Sequence, residues 1–432
     1  NVEWKPTYGN GKSKCQRTNR YLKIRMITKV INIYKDSFSG LPRSVWLLSL
    51  IMLINRAGAM VLPFMTLYLT TDLGFSLTAA GWVMGAYGLG SILGAYAGGY
   101  LTDKFGFYHI QLYSLLIGAL ILLLLVFVKD YTIILISVFS FALVADTLRP
   151  ANSVAIAAYS NPENRTRSFS LMRFAINLGF SIGPAMGGIV AGTLGFRWIF
   201  LIDAVTCVSA AFILFKYLPY DKTTVPEKKS ISTTTGLSAY KNKEYLIFIF
   251  LVSLYAIAFF QLFTSVPVYW EREWSFSETK IGLLLALNGL IIVMFEMPFI
   301  RSLEHIQRYM VMISIGSALL IASFISLISG WVSVIPAVVF IILMSLSEMF
   351  AMPFMTNYAV STPGEDRRGQ YMALYAMAYG VAHIVAPMGS MYIADNFGFF
   401  ILYVSLALLS LVVSFAFFSM RKKMVARTVT TP

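Results

Sequence analysis

Residues 149–188 read RPANSVAIAAYSNPENRTRSFSLMRFAINLGFSIGPAMGG, and residues 351–390 read AMPFMTNYAVSTPGEDRRGQYMALYAMAYGVAHIVAPMGS. Within them, Leu171–Pro184 matches Leu374–Pro387 at equal spacing. Pro150 also matches Pro353, and with small gaps Pro162 matches Pro363 and the basic pair Arg165 and Arg167 matches Arg367 and Arg368. An internal repeat of this kind indicates a chain built from two related halves.

The repeat lies in a chain of very low polarity. Of its 432 residues, 58% are hydrophobic and only 12% are charged. Soluble domains carry roughly 25% charged residues, and here the shortfall falls in apolar runs long enough to cross a bilayer. We therefore predict an all-α polytopic membrane protein with twelve transmembrane helices, at residues 44–69, 76–100, 109–128, 131–158, 168–193, 196–217, 244–269, 278–300, 309–329, 332–358, 370–394 and 398–420.

A polar segment divides these spans into six plus six. Residues 218–243 are rich in Lys and Thr and contain two prolines. The predicted regions are an N-terminal tail (1–43), a six-helix bundle (44–217), a central loop (218–243), a second six-helix bundle (244–420) and a C-terminal tail (421–432). Residues 1–25 are polar and precede Met26, and two interpretations stay open for them: a non-native extension or a disordered part of the tail.

The distribution of basic residues orients the chain. Among the 34 Lys and Arg residues, those in loops on the side away from both termini are Lys129, Arg197, Arg272 and Lys280. Cytoplasmic loops carry the excess of Lys and Arg, so both termini and the central loop are predicted to be cytoplasmic. The expected location is the plasma membrane, which is the inner membrane in a bacterium. The formal net charge of +14 then reflects topology, and no nucleic-acid partner is expected.

The loop between spans 2 and 3 carries a family motif. Residues 99–106 read GYLTDKFG and resemble the G-x-L-x-D-R-x-G signature of the major facilitator superfamily, with Phe107 and Tyr108 where a basic residue usually follows. The matching positions are Gly99, Leu101, Asp103 and Gly106, and Lys104 stands where Arg is usual. The resemblance implies a conformational latch, since a carboxylate such as that of Asp103 can accept hydrogen bonds from a helix N-terminus. The alternative interpretation is an ordinary tight loop.

A second motif lies in span 5. It resembles the G-x3-G-P-x2-G-G signature of the antiporter branches, at Gly179, Gly183, Pro184, Gly187 and Gly188. Glycines four residues apart also form a smooth face for close helix packing, and both interpretations hold together. Arg149 resembles the membrane-embedded Arg of a further family motif. The chain is thus similar to the drug:proton antiporter-like, multidrug-exporter branch, which implies two pseudo-symmetric bundles, spans 1, 4, 7 and 10 around a central cavity, and a monomer.

Ionisable residues within the spans are the candidate functional groups. Each costs about 2.5–3.5 kcal/mol or more at bilayer depth, so each needs a partner or a role. They are Arg56, Asp146, Arg149, Arg173, Asp203, Glu296, Glu348 and His383. Three fixed positive charges face four carboxylates, so at least one carboxylate lacks a fixed counter-charge and is a candidate proton carrier.

The sequence ranks these candidates. Glu348 and Glu296 are preferred over Asp146, because Asp146 and Arg149 share a helix face and can neutralise each other. Arg56 either binds an anionic substrate or pairs with Glu348. We expect a packing or interfacial role for Asp203 and an interhelical hydrogen bond for His383. Uncharged polar candidates are Asn55, Asn177, Gln261 and Asn288, and we expect Arg173, Asn177 and Gln261 to lie at the cavity.

The predicted function is secondary active transport of a small molecule coupled to protons. Export of lipophilic or cationic compounds is the first hypothesis, because of the span 5 motif and the carboxylates. Proton-coupled uptake of a nutrient, sugar or organic anion is the alternative, since cavity arginines suit anions. A non-transporting membrane sensor is a third possibility. The sequence shows no phosphate-binding loop, metal-ligand spacing or nucleophile elbow, so no enzyme and no cofactor are predicted.

Overall fold

A computed structural model describes residues 40–161, 163–218, 238–303, 308–362 and 368–430. All regular secondary structure in these ranges is helical. Within them, eleven helical segments are long and apolar enough to cross a membrane. The last segment, Gln370–Met420, has 51 residues and contains a non-helical glycine, Gly398, with a φ of 84°. A crossing takes about 20 residues, so this segment holds two crossings, and the predicted twelve spans are confirmed.

We number the spans in chain order. They are α1 Arg43–Asp72, α2 Leu77–Phe105, α3 Phe107–Phe127, α4 Tyr131–Tyr159, α5 Arg165–Leu194, α6 Phe196–Tyr217, α7 Lys243–Arg272, α8 Glu278–Leu303, α9 Tyr309–Ile328, α10 Val334–Ser361, α11 at 368–397 and α12 at 399–430. The paired basic residues Arg165/Arg167 and Arg367/Arg368 precede or begin α5 and α11, although Arg367 and Pro363 lie outside the described residues.

Three spans are interrupted at mid-depth, each three or four residues before a proline. The helix of α1 breaks at Ala59, that of α4 at Asp146, and that of α7 at Thr264. The prolines that follow are Pro63, Pro150 and Pro267. A proline lacks the N–H donor of a helical hydrogen bond, and its ring clashes with the carbonyl four residues earlier, which explains each break.

The two halves meet through two helix pairs. α2 of the first half packs against α11 of the second, and α5 packs against α8. Glycines make both contacts close. A Cβ on Gly81 would lie 2.9 Å from the Cβ of Met391, and a Cβ on Gly188 would lie 2.8 Å from the Cα of Gly282. In the two halves, α2 is equivalent to α8 and α5 is equivalent to α11. The α2–α11 and α5–α8 contacts are therefore equivalent to each other, as pseudo-symmetry between the two six-helix bundles requires.

These contacts concentrate at one end of the molecule. We call the end where α1 begins the tail side, and the opposite end the far side. At the far side, Thr78 at the start of α2 donates to Asp395 of α11 through its backbone N–H (3.1 Å) and its hydroxyl (2.6 Å). Thr279 of α8 donates to the carbonyl of Gly188 at 3.2 Å. The bundles are therefore joined at the far side.

The latch motif lies at the tail side, in the turn between α2 and α3. Asp103 and Lys104 are exposed, and Asp103 has no hydrogen-bond partner in the part of the chain that the structure describes. Gly106 has a φ of 81°, a conformation that favours glycine, and lets the chain turn directly from α2 into α3. The turn explains this glycine, and the latching role stays a prediction about another conformation.

The contact between Thr78 and Asp395 gives a first testable prediction. Asp395 caps α2 from the other bundle, so Asp395→Ala should weaken far-side closure by about 1 kcal/mol, the usual cost of losing a helix cap. We expect the far-side-open population to rise about fivefold. Spin labels at Leu194→Cys and Trp331→Cys, both exposed at the far side, report this as a longer interspin distance.

A matched control is available for this measurement. Asp130 caps α4 at Ile133 (3.0 Å) within its own bundle, also at the far side. Asp130→Ala should leave the distance distribution unchanged. Equal shifts in the two variants would show that Asp395 acts on helix stability and does not join the bundles.

Candidate functional site

A cavity of about 360 Å³ lies between the two bundles at mid-depth. This size suits a small molecule. Its wall includes residues of α1, α4, α7 and α10, as the family resemblance implies. Its aromatic side chains are Tyr87, Phe141, Phe180, Phe259, Phe260, Phe263 and Tyr379. Its polar and charged side chains include Asn55, Arg56, Asp146, Arg149, Asn177, Asp203, Asn288, Glu348 and His383.

The break in α4 places an ion pair in the wall. Arg149 Nε lies 2.7 Å from Asp146 Oδ1. The Asp146 side chain is buried, whereas 54% of the Arg149 side chain is exposed. The hypothesis that these two residues neutralise each other agrees with this contact, which lowers the rank of Asp146 as a proton carrier.

A second ion pair joins the bundles on the tail side of the cavity. Arg173 of α5 binds Glu296 of α8, and Asn177 donates to the other carboxylate oxygen at 3.3 Å. Glu296 therefore has a counter-charge. Asn177 lines the cavity as expected, but Arg173 and Glu296 lie outside its wall. The expectation that Arg173 lines the cavity is wrong, because its guanidinium is directed at Glu296.

Glu348 of α10 has a different environment. It lines the cavity and forms no ion pair with any residue that the structure describes. Asn288 of α8 lies near it and donates through its Nδ2 to Ser345 Oγ at 3.0 Å. The expected pair between Arg56 and Glu348 is absent from the described residues. Glu348 is thus a carboxylate at mid-depth without a fixed counter-charge. The sequence predicted at least one such residue, because the spans contain more carboxylates than fixed positive charges.

Arg56 of α1 also has no ion pair among the described residues. Its Nε is buried and has no hydrogen-bond partner in the described chain. The guanidinium carbon lies 5.5 Å from the centre of the Phe180 ring, within the range of a cation–π contact. Arg56 can therefore offer its donors to a ligand in the cavity.

Asp203 of α6 was misjudged from the sequence. The structure places it in the cavity wall with 3% of its surface exposed, and Cys207 Sγ lies 3.8 Å from its Oδ1. It also lies near the backbone N–H of Val61, which begins the second part of α1 after the break. The expectation of a packing or interfacial role is wrong, because Asp203 lies at the cavity. Pro63, which predicts the break in α1, was the feature of the sequence that could have indicated this position.

Gln261 of α7 does not line the cavity. It is fully buried, and its amide oxygen accepts from Ser265 at 2.7 Å while its amide nitrogen donates to the carbonyl of Ile257 at 3.0 Å. These bonds satisfy polar groups at the break in α7. The expectation of a cavity position for Gln261 is therefore wrong, because its side chain forms hydrogen bonds within α7 at the break.

His383 of α11 is held by stacking. The centre of its ring lies 3.9 Å from the centre of the Phe260 ring at an interplanar angle of 25°. No hydrogen bond of its side chain occurs among the residues with described positions, so the expected interhelical hydrogen bond is not found. The stacked pair forms a flat aromatic part of the cavity wall.

The glycines of the α5 motif shape the site from behind. Gly179, Gly183 and Gly187 face α1, and a Cβ on Gly179 would lie 2.5 Å from the Cβ of Arg56. Gly188 faces α8 instead. Pro184 lines the cavity within an unbroken helix. The packing interpretation of this motif thus explains all four glycines, and the first three let α1 carry Arg56 against α5.

Comparisons with known proteins agree with this architecture. The family profile described as Major Facilitator Superfamily matches residues 45–387 and 272–430. The peptide transporter POT, solved in complex with sulfate, superposes with a TM-score of 0.77 over 89% of this chain and 96% of that one, at 16% identity. At that identity the likeness concerns the fold alone.

Three relatives are similar in sequence over most of their length. The MFS-type transporter YttB of Bacillus subtilis is 27% identical over 86% of this chain and 94% of its own. The Na(+), Li(+), K(+)/H(+) antiporter of Planococcus maritimus is 24% identical over 83% and 91%. The quinolone resistance protein NorA of Staphylococcus aureus is 23% identical over 78% and 86%.

The family profile extends across nearly all twelve spans, and the fold has the two related bundles and the central cavity that alternating access requires. The chain belongs to the Major Facilitator Superfamily and is a membrane transporter, not an enzyme.

Proposed function

We propose that this chain exports small lipophilic or cationic compounds in exchange for protons, by alternating access. The observation that carries the proposal is Glu348, a carboxylate without a counter-charge among the described residues, in an aromatic-lined cavity between the bundles. The names of two relatives, a cation/proton antiporter and a drug-resistance protein, favour the same direction.

The cavity wall suits such compounds. Phe180, Phe259, Phe260, Phe263 and Tyr379 offer apolar surface to a lipophilic body. Aromatic faces also attract cations, by about 0.5–2 kcal/mol for each contact. A wall built mostly from such contacts places few geometric demands on its ligand, so we expect a range of substrates.

Glu348 explains exchange by competition. A proton and a substrate cation both bind a carboxylate, and each lowers the affinity for the other at one site. If only one is bound when the bundles rock, cation movement in one direction accompanies proton movement in the other. Backbone contacts between Gly188 and Gly282 close the far side, so we propose that the cavity loads from the tail side once the Arg173–Glu296 pair separates. The excess of basic loops predicts that side to be cytoplasmic.

Reconstitution in liposomes tests the proposal directly. With an outward- or inward-directed pH gradient and the lipophilic cation ethidium, we expect ethidium to move against the proton flux. Movement of both in the same direction would contradict antiport. Liposomes without protein give the passive leak, and collapse of the gradient with a protonophore should abolish accumulation.

A second candidate function is proton-coupled uptake of an organic anion. Arg56 supports it, because an unpaired guanidinium in the cavity can bind a carboxylate. The same liposomes discriminate: co-directional flux of protons and an anion such as benzoate would favour uptake. A panel of cations and anions without any flux would instead favour the sensor. We propose a monomer in the plasma membrane, which light scattering of the purified protein can test.

A further inference from the structure

The unpaired charges of the cavity lie in different bundles. Two ion pairs, Arg149 with Asp146 and Arg173 with Glu296, account for four of the charged side chains at mid-depth. Arg56 on α1 and Asp203 on α6 of the first bundle, and Glu348 on α10 of the second, have no such partner in the described chain. The cavity therefore offers the guanidinium of Arg56 on the wall that also holds Asp203, and the carboxylate of Glu348 on the opposite wall.

The groups around Arg56 do not take up its donors. The charged or titratable groups that act on it are Arg149, Asp146, Tyr87 and Asp203. Asp146 already binds Arg149, and Asp203 accepts from Cys207 Sγ without forming an ion pair within the described ranges. The Arg56 side chain is held by Gly179 and Phe180 behind it. A guanidinium fixed in this way presents a planar fork that matches a carboxylate.

The groups around Glu348 likewise leave its carboxylate free to bind a ligand. Asn288 lies near it, and the hydroxyl groups of Tyr255 and Tyr379 lie on neighbouring helices within electrostatic range. Glu296 is the closest carboxylate in electrostatic effect, and its own charge is matched by Arg173. An ammonium group of a ligand can fill the place of the missing counter-charge.

The surface between the two charges is aromatic. Phe180 lies at Arg56, the stacked pair of Phe260 and His383 lines the second bundle, and Tyr379 lies beside Glu348. A flat ring system that extends from Arg56 towards Glu348 would contact aromatic side chains along its length.

We propose that the preferred substrates are zwitterionic aromatic compounds, which place an anionic group on Arg56 and an ammonium group on Glu348. This inference rests on the proposed function for the direction of transport, but it concerns binding alone. A ligand with both charges neutralises both walls at once, whereas a simple cation leaves Arg56 without a partner in a cavity of low polarity.

Equilibrium binding to the full chain in detergent, without any gradient, tests the inference separately from export. The probes are 4′-(aminomethyl)biphenyl-4-carboxylic acid, its methyl ester, which is a cation, and its N-acetyl derivative, which is an anion. We expect the zwitterion to bind at least tenfold more tightly than either single-charge probe, since a charge-assisted hydrogen bond is lost in each. A zwitterion that binds no better than the ester, or does not bind, would overturn the inference.

Two substitutions assign the ends of the ligand. Arg56→Gln should weaken zwitterion binding roughly tenfold to a hundredfold and leave the ester unchanged. Arg56→Lys, which keeps the charge, should retain much of the preference. Glu348→Gln should weaken the zwitterion and the ester but not the N-acetyl probe. Arg197→Gln, at an exposed far-side arginine, is the control.

The pattern of losses separates the outcomes. Equal weakening of zwitterion and ester by Arg56→Gln would mean that Arg56 only maintains the structure, which contradicts the assignment. Correct binding selectivity without proton exchange in liposomes would instead refute the proposed antiport and leave the substrate class intact.

Discussion

Glu348→Gln should abolish proton-coupled transport while leaving the protein folded. The glutamine keeps the shape of the side chain but can neither release a proton nor bear a charge. In liposomes we expect substrate accumulation driven by a pH gradient to fall by more than tenfold. The dependence of flux on the gradient should disappear, because no step would then exchange a proton for substrate.

The paired carboxylate supplies the matched control. Arg173→Gln combined with Glu296→Gln removes the ion pair between α5 and α8 without leaving a lone charge. This double variant should keep its response to the pH gradient. A gradient response that survives in Glu348→Gln and is lost in the double variant would transfer the coupling role to Glu296. Loss in both would make the coupling a property of the wider charge network.

Gly188→Ala should shift the protein away from the conformation described here. The added Cβ would lie 2.5 Å from the carbonyl oxygen of Glu278 and 2.8 Å from the Cα of Gly282. These are backbone atoms, so α5 and α8 must separate at the far side. Overpacking costs about 1–3 kcal/mol, and about 1.4 kcal/mol is a tenfold change in a population.

The measurement is the far-side distance between spin labels at Leu194→Cys and Trp331→Cys. We expect a larger far-side-open fraction than in the chain with Gly188, and a larger shift than for Asp395→Ala. Gly389→Ala on α11 is the control, because a Cβ there meets nothing within 4 Å. An unchanged distance distribution in Gly188→Ala would show that this close approach does not hold the far side closed.

The sequence was sufficient for the fold because the signals are long and local. Each span is an apolar run of about 20 residues, and the repeat around Pro184 and Pro387 relates the halves. The pairing of Asp146 with Arg149 could also be predicted, since the two residues are close along the chain, although the structure places a helix break between them. The predicted boundary between spans 11 and 12 lies next to Gly398, and in the structure the non-helical backbone of this glycine, with a φ of 84°, separates α11 from α12.

The site could be predicted only in part, because it depends on which helices meet. Arg173 and Glu296 are 123 positions apart, and no spacing along the chain shows that their helices are neighbours. Arg56 and Asp203 come together at the cavity because the helix of α1 ends just after Arg56 and packs against α6. Gln261 was predicted to lie at the cavity because it is a polar residue within an apolar span. The sequence did not show that its side chain forms hydrogen bonds at the break in α7.

The three proline-associated breaks have a mechanical consequence. All of them, at Ala59, Asp146 and Thr264, line the cavity. A helix that already lacks the relevant hydrogen bond can bend there without losing another. The tail-side part of each span can thus tilt when the tail side opens, while the far-side part keeps its position, and the reverse. The wall of the cavity is then compliant where it surrounds the ligand and stiff towards both faces of the membrane.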